Sequence, residues 1–119
     1  MGIKTLMLLY CVGKITVIGT TSGDQRFEPL VSSTMPHDTV IAVDQSLILY
    51  KGNVARLKQQ DSGKFVIEGT TTVRGLTTLF SGHLDLDRET LRIDETTTDG
   101  KEKTTVSFEG LCRDVGLNL

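Results

Sequence analysis

The chain has 119 residues and a net charge of −2, with thirteen Lys and Arg against fifteen Asp and Glu, which is room for one domain around one core. Its cations are scattered, so no stretch concentrates the positive charge that tracking a phosphate backbone requires, and nucleic acid is not an expected partner. With no Trp, four Phe and two Tyr, there are few aromatic platforms for stacking bases or sugars.

Residues 1–18 admit two readings. Met1 to Lys4 supply a basic start and Thr5 to Val12 an apolar run of signal-peptide length. Lys14 interrupts that run, Ile15 to Ile18 resume it, and no small-x-small cleavage pattern follows. The stretch is therefore either an apolar leader or an N-terminal hairpin turning at Gly13-Lys14. A leader implies a periplasmic or secreted protein; otherwise the chain is cytoplasmic. A membrane span needs about 20 apolar residues, and this charged run is too short. Residues 19–38 carry both prolines with many Gly, Ser and Thr and read as an extended connector, anchored by Phe27, Leu30 and Val31.

Residues 39–119 read as an antiparallel β-domain. Thr39 to Asp44 and Ser46 to Tyr50 are apolar on both faces, as suits strands buried on both sides. Gly52-Asn53 is a hairpin signal that sets Tyr50 against Ala55 and Ile48 against Leu57. A helix over 45–60 is the rival reading, because Leu47, Tyr50, Val54 and Leu57 recur at helical spacing, but Gly52 weakens it. Asp61-Ser62-Gly63 is a turn into the most regular part of the chain.

From Phe65 to Cys112 four runs alternate apolar and polar residues. Phe65, Ile67 and Gly69 share one face; so do Phe80, Gly82, Leu84 and Leu86, then Leu91 and Ile93, then Val106 and Phe108. A turn at Arg74-Gly75 places Ile67 opposite Gly82 and Gly69 opposite Phe80. A turn over Asp87 to Thr90 sets Leu86 against Leu91 and Leu84 against Ile93. Asp99-Gly100, a type I′ signal, sets Leu91 against Phe108 and Ile93 against Val106. A one-residue slip would turn each inward set outward, so matching parity at successive turns supports the arrangement. The recurring pattern of large apolar, any residue, glycine predicts strong curvature. Seventeen threonines suit exposed sheet faces. The expected fold is all-β: a single antiparallel meander forming a strongly curved sheet, small sandwich or partial barrel.

Motifs for nucleotide, metal or nucleophilic chemistry are absent, and no cofactor, metal site or catalytic residue is expected. His83 and Asp85 share an outer strand face at a spacing that suits a general-base pair, although a solvated face explains them as well. Glu68, Arg92 and Glu109 join them as a candidate outer binding patch. His37, beside Asp38 in the connector, is a further candidate at one end of the sheet. Cys11 and Cys112 are the only cysteines; bridged, they close a loop of about a hundred residues, worth roughly 4 to 5 kcal/mol on the chain-entropy model. The leading functional reading is a small non-catalytic β-domain, exported, that binds a protein or envelope partner. The alternatives are a small barrel carrying an apolar ligand and an enzyme using His83 or His37 with nearby carboxylates. Flat, Thr-rich edges also suit a homo-oligomer.

Overall fold

The computed structural model describes residues 6–21 and 31–115. Eight strands follow one another: β1 (Met7–Thr21), β2 (Val31–Val43), β3 (Leu47–Tyr50), β4 (Asn53–Asp61), β5 (Lys64–Val73), β6 (Leu76–Asp85), β7 (Thr90–Thr98) and β8 (Glu102–Asp114). Each pairs antiparallel with the next, and β8 returns to β1, so the meander closes into a barrel with no helix among the described residues. The closing seam runs from Leu9 opposite Asp114 to Thr21 opposite Glu102.

Alternation fills the interior. Leu9, Ile41, Val43, Ile48, Leu57, Phe65, Ile67, Leu84, Leu91, Ile93 and Phe108 are all buried, and Tyr50 and the two cysteines join them. The helix considered over 45–60 does not form, because alternate residues Ile48, Tyr50, Ala55 and Leu57 supply an inward face that a period of 3.6 cannot. Cys11 lies opposite Cys112 across the seam, and the structure joins their sulfurs in a disulfide.

Four hairpin registers can be compared with expectation. At Arg74-Gly75 the expected pairs form, Ile67 with Gly82 and Gly69 with Phe80. Both turn residues have positive φ, 51° and 81°, as a type I′ turn demands. The other three registers differ by two residues. Ile48 meets Ala55 because Lys51 and Gly52, with φ of 52° and 80°, form the turn one position earlier than expected. Leu84 meets Leu91 because Asp85 Oδ1 accepts the N–H groups of Asp87 and Arg88. The N–H of Leu86 meanwhile donates to the Gly63 carbonyl of the neighbouring turn. Ile93 meets Phe108 because Asp99 Oδ1 accepts from Lys101 and Glu102, which makes a four-residue loop. A shift of two keeps each side chain on its face.

The N-terminal half differs more. β1 runs unbroken through Gly13-Lys14, so no hairpin turns there. Gly13 faces Gly110, and a Cβ on it would collide with the Glu109 carbonyl; the glycine lets β1 approach β8 closely and is not a turn. β2 begins at Val31, so residues 31–38, expected in the connector, lie in the sheet against β1. Pro36 is accommodated because β2 pairs with β3 only at Ala42 and Val43, which leaves the strand a free side among the described residues. Phe27 and Leu30 lie outside the described residues, as do residues 1–5.

Strand lengths shape the ends. At the lower end lie the β2–β3, β4–β5 and β6–β7 turns. At the upper end β3 and β4 turn back at Lys51-Gly52, below the tips of the longer β5–β6 and β7–β8 hairpins. The molecule measures 51 × 27 × 27 Å, the long axis matching a strand of 15 residues at about 3.3 Å each.

Candidate functional site

The outer-face candidates fall into two groups. His83, Arg92 and Glu109 are neighbours across β6, β7 and β8, and Lys14 of β1 continues the row beyond Glu109. They border a shallow groove of about 440 Å³. Glu68 stands apart on β5, beside Arg56 and Ser81. Asp85 is committed to its turn, with two backbone N–H groups 3.0 Å from one oxygen. Arg92 reaches Asp94 at 3.8 Å, and both side chains are partly exposed, so that pair contributes little.

His37 sits inside the barrel on β2, not on a connector over its end. Its ring meets Phe108 edge-on, with centroids 5.9 Å apart. Asp38, the next residue, points outward and accepts the Tyr10 hydroxyl proton at 2.6 Å. That hydrogen bond holds the Tyr10 phenol above its usual 10.0.

The structure assembles two features that sequence reading did not single out. The first is an apolar band on the outer wall. Leu111 lies beside Val12, Tyr10 beside Val40, Ala42 beside Leu49, and Leu49 beside Val54, so with two-residue steps along β1 and β2 the band crosses β8, β1, β2, β3 and β4 diagonally. Leu111, Val12, Val40, Leu49 and Val54 are 65, 52, 55, 45 and 53 % exposed. Contiguous apolar surface of this kind marks interaction sites, whereas scattered apolar residues do not. His83, Arg92 and Glu109 line one groove with Leu111, and Glu68 lines another with Val54, so the polar candidates flank the band at its two edges.

The second is a polar cluster above the dry core, at the upper end. Tyr50 is 2 % exposed, and its hydroxyl has no hydrogen-bond partner among the described residues. Its ring packs on Phe108 with centroids 6.5 Å apart. Lys51 Nζ stands 5.8 Å from the centre of the same ring and 3.1 Å from Glu95 Oε1. The ion pair thus runs from the β3–β4 turn to β7, over the phenol. Burial first, and then the Glu95 charge, push the Tyr50 ionisation well above its usual 10.0, so the hydroxyl remains a donor. Glu95 was legible as an exception: it follows Leu91 and Ile93 on the inward parity, where a carboxylate is out of place.

A cavity of about 280 Å³ opens at the lower end among Met7, Leu9, Leu84, Leu86 and Cys112. No group of three or more His, Cys, Asp or Glu suited to a metal occurs among the described residues, and no helix there is long and apolar enough to cross a membrane. Comparison with protein-family models, with curated proteins and with solved structures finds no match.

Proposed function

We propose that this protein is a non-catalytic binding domain that works in an oxidising compartment and docks a protein partner on the apolar band of β8, β1, β2, β3 and β4. The observation that carries this reading is the exposure of Leu111 beside Val12 and of Leu49 beside Val54, with the exposed Val40 between the two pairs beside Tyr10. Apolar area left in water on one wall is removed most economically by a second protein surface. The Cys11–Cys112 bridge supports export, since disulfides persist outside the reducing cytosol.

Photo-crosslinking from position 49 or 54 in source cells tests the reading. Wild type should give a defined cross-linked mass, and Val40→Lys with Val12→Lys should abolish it at unchanged melting temperature. His83→Ala, on β6 and outside the strands that carry the band, should leave it intact. A cross-link that survives the lysine pair would overturn the assignment of the band.

The lower cavity among Met7, Leu9, Leu84 and Leu86 favours a second reading, a small apolar ligand held at that end. Native mass spectrometry of protein from its source checks it, expecting a retained small molecule that Leu84→Phe displaces.

A further inference from the structure

We propose that the upper part of β2 receives an extended segment of a partner protein, which adds a strand at the place where β3 stops. The site lies above the outer band, and a different observation carries it. β2 has 13 residues and β3 has 4, and the two pair only at Ala42 and Val43. In an antiparallel ladder the N–H and C=O of one residue point to the same neighbour, and successive residues point to opposite neighbours. The Asp44 N–H donates to the Leu47 carbonyl of β3, and the β1–β2 register runs without a bulge from Val43 to Val31. Ser32, Thr34, Pro36 and Asp38 therefore turn their backbone groups away from β1, toward a side on which no described strand pairs with them. A row of free donors and acceptors at strand spacing is complemented by the backbone of another strand.

Side chains say which strand fits. Met35 follows the inward alternation of Ile41 and Val43 yet is 46 % exposed, and it faces the partly buried Ile15 on β1. At the same end Val73 and Leu76 lie on the inward alternation of β5 and β6 and are 64 and 47 % exposed. These inner surfaces stay in water because β3 and β4 turn back below them at Lys51-Gly52. An added strand with alternate apolar residues covers Met35 with one face and keeps its polar face outward, level with Thr34 and Asp38. Pro36 argues against a second copy of the same edge. In a two-fold antiparallel pair each β2 would bring its own proline, so the short ladder would lose two donors, whereas a foreign strand meets only one proline.

The probe is the peptide acetyl-Lys-Thr-Val-Thr-Val-Thr-Lys-amide, added to the ¹⁵N-labelled full chain while amide hydrogen exchange is followed. In the free chain the amides of Thr34 and Asp38 should exchange at least about tenfold faster than those of Met35 and His37, which face β1. Saturating peptide should slow Thr34 and Asp38 about fivefold or more and leave Met35 and His37 unchanged. N-methylation of the peptide's threonines, whose N–H groups turn toward β2 in this pairing, should abolish the protection, and N-methylation of its valines should keep it. Thr34→Pro removes a donor from the free side alone and should weaken the peptide about fivefold, the worth of one hydrogen bond. The proposal is overturned if Thr34 and Asp38 are already protected in the free monomer, or if the peptide protects neither. It is overturned equally if the two N-methylated peptides act alike, or if folded Thr34→Pro binds as wild type does. Protection that grows with protein concentration in the absence of peptide would assign the edge to a second copy and overturn it as well.

Discussion

At the scale of single residues, most polar side chains at the turns satisfy backbone groups and have no chemistry to spare. Asp44 Oδ1 accepts from the N–H of Ser46 and Leu47 at 2.8 and 2.7 Å, and Asp99 Oδ1 from those of Lys101 and Glu102 at 2.8 and 2.9 Å. These bonds, led by Ser46 in one turn and Glu102 in the other, hold both carboxyls below the ordinary 3.8. A depressed folded-state value means that the stabilisation is complete above pH 3.8 and is lost as pH falls through the lower folded values. The melting temperature should therefore drop on acidification below about pH 4, and the drop should be smaller in Asp44→Asn with Asp99→Asn. Tyr50 behaves oppositely: Tyr50→Phe deletes a buried donor that has no partner and should leave stability unchanged or raise it by about 1 kcal/mol, measured by urea denaturation. His83 and His37 were legible as candidates by residue type alone. Tyr50 and Lys51 were not, because an inward tyrosine reads as core and a turn lysine as solvated.

At the scale of elements, faces are more legible than registers. Parity around Leu84, Leu91, Ile93 and Phe108 holds from sequence to structure, because alternation is local and a buried face penalises any odd shift. The choice between registers two residues apart lies instead in turn hydrogen bonds, such as Leu86 N–H to the Gly63 carbonyl, which join turns distant in sequence. Glycine positions carry the curvature. A Cβ at Gly82 would meet the Arg92 carbonyl, whereas one at Gly19 would meet nothing within 4 Å. Gly82→Ala should cost about 1–3 kcal/mol through overpacking, and Gly19→Ala no more than about 0.5 kcal/mol. Thermal unfolding of the two variants side by side checks the contrast, and equal losses would remove the steric account of the bend.

At the scale of the whole molecule, closure brings together what the chain keeps furthest apart. Cys11 and Cys112, 101 residues apart in sequence, become direct neighbours on β1 and β8. Cys11→Ser with Cys112→Ser should still close, since pairing continues along the seam to Thr21, but should lose about 2–4 kcal/mol of stability by chemical denaturation. Closure also gathers Leu111, Val12, Leu49 and Val54 onto one wall and draws Lys51 toward Glu95. Taken alone, the amino-acid order determined an all-β meander, the inward faces from Phe65 onward and the places of its later turns to within a register step of two residues, because alternation and turn chemistry act over a few neighbours. Tertiary structure alone decided that the sheet closes on itself, that residues 31–38 belong to it, and which outward side chains become contiguous. Those outcomes depend on twist and stagger summed over eight strands, a quantity that no short stretch of the chain contains.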